Sequence, residues 1–331
     1  MLFKGDGLGD QLITACSKKE LTATTEGTET RGPWLARLAL ATVACLYGSN
    51  YSVVKMLGSE MAPSMMMSLR FGLASLVLTP SLNGVSQPAL LGGLEVGLYA
   101  ALGYASQAFG LQTIAASQVA LVSTLSVLVV PACEHFGGKG VGKMTMMAAA
   151  LASTGAALLQ LGGEEGSGVP VDLFTRVVIL LQPIFFGLST WRMETFSMRH
   201  PTETVGLTAA QVVVIGAASV AWAVAGGAIP PVPELVSVCS QPMVSAGLLW
   251  TGLVTTALVL YMETAALKTV PASEVAIIYT LEPLVGAALA VLTLGESFGP
   301  WTALGGAFVL TGCYLSSRQG SALEPEVVGG K

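Results

Sequence analysis

Residues 110–129 read GLQTIAASQVALVSTLSVLV, and residues 266–285 read ALKTVPASEVAIIYTLEPLV. At this fixed offset of 156, ten of the twenty aligned positions are identical, among them Thr113/Thr269, Ala116/Ala272, Ser117/Ser273, Thr124/Thr280 and Leu125/Leu281. Shared apolar composition supplies chance matches of Leu and Val. It does not supply a Thr–x–x–Ala–Ser and a second Thr in register. The chain therefore reads as a duplicated unit, and two related apolar units in one chain are the pattern of a membrane transporter.

Only 11% of the 331 residues are charged and 53% are apolar, against about 25% charge in a soluble domain. Mean hydropathy is +0.70. A transmembrane helix needs about 20 apolar residues, and ten such stretches follow one another: 35–57, 63–80, 89–110, 117–136, 141–161, 173–193, 204–225, 243–266, 272–294 and 298–316. The runs are too long and too evenly apolar for barrel strands, which alternate polar and apolar faces. The expected fold class is an all-α membrane protein, a ten-helix bundle of two inverted five-helix repeats. Residues 1–33 read as a flexible polar tail, 34–161 as the first repeat, 162–171 as a linker, 172–316 as the second repeat and 317–331 as a disordered tail.

Charge sets the orientation. With the N-terminus inside, the cytoplasmic side holds Lys4, Lys18, Lys19, Arg31, Arg37, Lys139, Lys143, Arg192, Arg199, Lys268, Arg318 and Lys331, and the opposite side only Lys55 and Arg176. That is a strong positive-inside bias. Five spans per copy is an odd number, so the second copy enters upside down, and equivalent loops should carry opposite charge. The loop after the fourth span has Lys139 and Lys143; its counterpart after the ninth has Glu296 and no base. Both termini are expected on the cytosolic side of a multi-pass protein, with plasma membrane, endomembrane and plastid envelope all open.

The text LYGSNYSVVK at 46–55, followed by APSMMMSLRFGLASLVL at 62–78, resembles the opening of an EamA domain, of the drug/metabolite transporter superfamily. TLEPLVGAALAVLTLGESFGPWTALGGAFVLTGCYL at 280–315 is similar to that family's C-terminal signature. The resemblance covers nearly everything from Trp34 to Ser316, and implies ten helices around a central cavity and alternating-access movement of small metabolites. The first copy departs from the pattern: Ser126-Val127 stands opposite Glu282-Pro283, and Lys139-Gly140 opposite Gly295-Glu296.

A charge at membrane depth costs about 2.5 kcal/mol or more, so ionisable residues inside spans are the functional candidates. Arg70, Gln107, Tyr261, Glu263, Tyr279 and Glu282 are the expected substrate-binding residues of a cavity. Glu263 aligns with Gln107, which puts polar groups at matching depth in the third and eighth spans. Against these stand plainer readings. Arg70 is equally a structural ion-pair partner, and Glu282-Pro283 is equally a kink. Lys55 and Glu194 read as snorkelling span-end residues, Glu95 as interfacial, and Tyr99 and Trp191 as further aromatic lining. Glu274 and Glu296 are expected near loops and exposed. Gly103, Gly155, Gly305, Gly306 and Gly312 read as close-packing positions between helices.

Five scattered cysteines and two distant histidines form no metal or disulfide pattern. No catalytic residue, metal or cofactor is expected, and the absence of GxxxxGK[ST] argues against ATP hydrolysis. The leading reading is a secondary transporter of a small, neutral or zwitterionic metabolite, exporter or exchanger, with Glu263 or Glu282 as candidate proton carriers. The expected partners are that metabolite and membrane lipid, with a homodimer left open and no nucleic acid. The alternatives are a non-transporting membrane scaffold or receptor, and an intramembrane lipid-modifying enzyme, for which the His/Asp clusters of acid–base chemistry are missing.

Overall fold

The computed structural model describes residues 32–136, part of 147–158, 172–279, 281–297 and 299–320. Residues 1–31 and 321–331 of the two tails, the 162–171 connection, Lys139, Lys143 and most of the stretch 141–161 lie outside the described residues. Among the described residues all regular structure is helical. In chain order the helices are α1 (Gly32–Gly58), α2 (Pro63–Leu78, with a 3-10 turn Thr79–Leu82), α3 (Gln87–Gly110), α4 (Ala116–Ser123), α5 (Ser126–Phe136), α6 (Leu173–Arg199), α7 (Thr204–Ala225), α8 (Val232–Cys239), α9 (Pro242–Leu249), α10 (Val259–Ala266), α11 (Ala272–Ile278), α12 (Leu281–Leu294) and α13 (Pro300–Gly320). A π-helix, Trp250–Leu258, joins α9 to α10. Five of these stretches are long and apolar enough to cross a membrane: Pro63–Leu82, Gln87–Gly110, Leu173–Arg199, Thr204–Ala225 and Pro242–Ala266.

Local signals explain the ends. Proline stands in the first turn of α2, α3 and α9, where its missing N–H costs nothing. The Ser86 side chain accepts from Ala89 N to cap α3, and Asp172 accepts from Thr175 N to cap α6. Two helix pairs carry interruptions in matching places. α4 begins at Ala116 and ends at Ser123 before α5; α11 begins at Ala272 and ends at Ile278 before α12. The starts are 156 residues apart, the same offset that aligns the sequences.

The core is built by α3 packed between α6 and α7, α2 on α7 and on the π-helix, α12 on α1 and α4, α5 on α6, and α10 on α1. Glycine permits the closest of these approaches. A Cβ on Gly48 of α1 would lie 2.8 Å from both the Glu282 carbonyl oxygen and Val285 Cβ of α12. A Cβ on Gly187 of α6 would lie 2.6 Å from Val129 Cβ and 3.3 Å from the Ser126 carbonyl oxygen of α5. Positions 126 and 129 are 282 and 285 less 156, so the two glycines meet positions that the sequence alignment pairs. The outer surface is strongly apolar: Leu76, Leu173, Val232 and Leu292 are all largely exposed. Such a surface is stable in contact with lipid rather than water.

Candidate functional site

A cavity of about 70 Å³ lies at the meeting point of these helices, several times the space one water needs. Helices from both halves of the chain contribute. Tyr47 and Asn50 come from α1, Ala100, Tyr104 and Gln107 from α3, Ser123 and Ser126 from the α4–α5 break, Phe186, Ser189 and Thr190 from α6, Gln211 from α7, Leu260 and Glu263 from α10, and Tyr279 and Glu282 from the α11–α12 break. Both helix interruptions therefore open onto the same space.

Two carboxylates are held from one face of α1. Tyr47 donates its hydroxyl to Glu263 Oε2 at 2.8 Å, and Tyr51, one helical turn further on, donates to Glu282 Oε1. Four residues at 1.5 Å each separate the tyrosines by about 6 Å along the axis, so the two Tyr–Glu pairs form successive rungs. Glu263 is 9% exposed, and the hydroxyls of Tyr279 and Thr190 also face its carboxylate. The Tyr47 and Tyr279 rings meet edge to face at 5.7 Å. Gln211 Oε1 is buried without a hydrogen-bond partner among the described residues.

Arg70 stands one layer behind. It is 2% exposed, donates from Nε to Thr256 Oγ1 at 2.8 Å, and places its guanidinium 5.1 Å from the Tyr104 ring centroid. The π-helix makes this possible. Its wide turn points Thr255 at Asn50 Oδ1 (3.1 Å) and Thr256 at Arg70, while Thr256 Oγ1 bonds back to the Thr251 carbonyl five residues earlier.

Of the residues expected from the sequence, Gln107, Glu263, Tyr279 and Glu282 line the cavity. Arg70 lies behind Tyr104, and no carboxylate pairs with it among the described residues. Tyr261 is 39% exposed and outside the lining. Glu95 forms a two-point pair with Arg192, at 2.5 and 2.9 Å. Tyr47, Tyr51 and Asn50 were not anticipated. Their signal is the spacing Tyr–x–x–x–Tyr with Asn between, which places all three within one turn and a fraction of α1.

Glu296, expected to be exposed, is instead a buried tie, its side chain 8% exposed. It accepts from Ala116 N (2.8 Å), Ser117 N (3.0 Å) and Ser117 Oγ (2.7 Å), and from Lys55 Nζ at 3.2 Å. The N-terminus of α4 offers free N–H groups and a positive dipole end, so a carboxylate satisfies both. Desolvation works to raise the Glu296 carboxyl, but the hydrogen bonds from Ser117 and Ala116, with the Lys55 charge, hold it below the usual range. Lys55, expected to snorkel, thus locks α1 to the α4 and α12 ends, and also donates to the Ile114 carbonyl at 2.9 Å. A depression of about 240 Å³ lies beside Lys55, lined also by Gly58, Pro63, Met66, Leu111 and Gln112. Arg37 and Glu274 pair at the opposite end of α1, at 2.5 and 3.2 Å.

Residues 174–318 match the EamA-like transporter family. An uncharacterized transporter of Archaeoglobus fulgidus is 28% identical over 169 residues, 50% of this chain and 52% of that protein. The chain thus matches about half the length of this relative. A solved structure, described only as the crystal structure of a protein, superposes with a TM-score of 0.59 at 17% identity, covering 88% of this chain and 98% of the other. It shares the fold.

Proposed function

We propose that this chain, whose residues 174–318 belong to the EamA-like transporter family, is a secondary transporter that moves a small organic metabolite through the Tyr–Glu cavity by alternating access. The carrying observation is that one buried, polar cavity is lined by both interrupted helix pairs, α4–α5 and α11–α12, and by two carboxylates. Broken helices at a substrate site are how transporters place polar backbone ends inside a membrane. The name of the archaeal relative agrees with this reading.

The fold reading extends to ten spans in two inverted five-helix repeats, 34–161 and 172–316, with both termini on the cytosolic side. Three observations support it: the common start offset of α4 and α11, the matched contacts of Gly48 and Gly187, and the exchange of neighbours, with α12 on α1 as α5 is on α6. On that topology Lys55, Glu296 and the N-terminus of α4 share the outer end. Their buried tie is then the outer gate, and the Arg37–Glu274 pair belongs to the inner one. Alternating access would break these ties in turn.

Glu263 and Glu282 are the candidate coupling groups, because a carboxylate in a membrane interior is retained where it binds a proton or a substrate. The test is flux of a metabolite panel through vesicles containing purified protein, with and without an imposed pH gradient. Gradient-dependent flux that collapses in Glu263→Gln supports the proposal. Folded, reconstituted protein that moves no member of the panel would overturn it and favour a scaffold role.

A further inference from the structure

The charges and hydrogen-bonding groups around the cavity are lopsided. Among the described residues its lining contains two carboxylates, the buried and unpartnered Gln211 Oε1, several hydroxyls and four aromatic rings, but no Lys or Arg. Carboxylate and amide oxygens accept hydrogen bonds, and aromatic faces attract positive charge. The Tyr47 and Tyr51 hydroxyl protons are already committed to Glu263 and Glu282. What the cavity lacks is a donor with positive charge.

The charge balance gives the valence. The titratable and charged groups facing this region are Tyr47 and Tyr51 of α1, Arg70 of α2, Tyr104 of α3, Glu263 of α10, Tyr279 beside the α11–α12 break, and Glu282 of α12. The ion pairs Arg192–Glu95, Lys55–Glu296 and Arg37–Glu274 neutralise themselves outside the lining, and Glu194 of α6 is outside it too. With both carboxylates ionised, the single guanidinium of Arg70 would leave one negative charge. A buried site does not tolerate that charge uncompensated.

We propose, resting on the transport reading above, that the cavity binds an organic amine in its ammonium form, and that this cation and one proton occupy the Glu263–Glu282 pair in alternation. The ammonium supplies three donors, and Glu263, Glu282 and Gln211 line the cavity as acceptors. The rings of Tyr47, Tyr104, Phe186 and Tyr279 surround its charge and the carbon beside it. When the amine leaves, a proton restores neutrality. Amine and proton therefore compete, and binding weakens as pH falls.

The experiment is calorimetry on the full chain in lipid nanodiscs, with empty nanodiscs subtracted, using tyramine and benzylamine as amines. N-acetyltyramine is the neutral comparison, and 3-(4-hydroxyphenyl)propionate the anionic one. The amines should bind at least tenfold tighter than either comparison. Two buffers of different ionisation enthalpy should show about one proton released per amine bound. Glu263→Gln and Glu282→Gln should each weaken amine binding tenfold or more. The proposal is overturned if neither amine binds, if the neutral or anionic compound binds as tightly, or if no proton is released. Flux in vesicles separates the two readings: amine bound but not moved defeats transport alone, whereas the neutral compound moved and amines not bound defeats the cation site alone.

Discussion

Tyr47 and Glu263, 216 residues apart in the sequence, meet in a 2.8 Å hydrogen bond. The bond joins α1 to α10 across the cavity, so it belongs both to the packing of the bundle and to its chemistry. Glu263→Gln keeps the shape and a hydrogen-bonding oxygen while removing the charge. Thermal unfolding should change little, whereas vesicle flux should fall at least about tenfold and its pH dependence should flatten, the signature of a lost transition or coupling group rather than of lost fold. Normal flux with an unchanged pH profile would make Glu263 structural.

Glu95→Gln is the comparison. Its partner Arg192 is about a quarter exposed, and partly exposed pairs contribute only about 0.2–1 kcal/mol. Flux should drop less than about fivefold, with the pH profile intact. An effect as large as that of Glu263→Gln would move the coupling site towards α3.

Tyr47→Phe deletes one hydroxyl and leaves the ring edge against Tyr279. If hydroxyl and carboxylate act as one unit, Tyr47→Phe and Glu263→Gln will not be additive: the double variant should lose little more than Glu263→Gln alone. Additive losses of flux would show that the two act separately.

Glu296 sets a pH window. Its carboxyl is held below the usual range, so its contribution to stability is full above the unfolded carboxyl's pKa and is lost as pH falls through the folded one. Unfolding temperature should therefore drop on acidification. The drop should be smaller in Glu296→Gln, which at neutral pH loses about 1.5–3 kcal/mol of charge-assisted bonding. Parallel acid profiles of the two proteins would remove Glu296 from the account.

Gly48→Ala should be costly. The new methyl would meet the Glu282 carbonyl and Val285 at 2.8 Å, and overpacking of this kind costs about 1–3 kcal/mol. Gly72→Ala, with nothing within 4 Å of its Cβ position, should be neutral or slightly stabilising. Equal unfolding temperatures for the two variants would show that α1 and α12 can separate freely.

Much of the fold was legible because a lipid-facing helix leaves a long apolar run: the expected spans 63–80, 89–110, 204–225 and 243–266 coincide closely with α2, α3, α7 and the α9–α10 unit. The common start offset of α4 and α11 was legible through matched polar residues. The breaks after Ser123 and Ile278 were not, since neither carries a Gly, and Pro283 comes only after the second. Nor was α8 expected, a short helix with no buried residue. The site was half legible. Charge at membrane depth pointed to Glu263 and Glu282, but did not single out Tyr47 and Tyr51, whose partners lie on α10 and α12. Glu296 misled because loop position suggested water, while its ligands come from a backbone 180 residues away.

The π-helix lies in a unit one residue longer than α3. α3 begins at Gln87 and ends at Gly110; the α9–α10 unit begins at Pro242 and ends at Ala266. Their starts are 155 residues apart and their ends 156, so the later unit is longer by a single residue. A π-turn lets a helix carry an extra residue without unwinding. Against an uninterrupted α-helix, the side chains before Trp250 are turned by about 100° relative to those after Leu258, one residue's share of a helical turn. A single wide turn thus re-aims half a helix and sets Thr256 against Arg70.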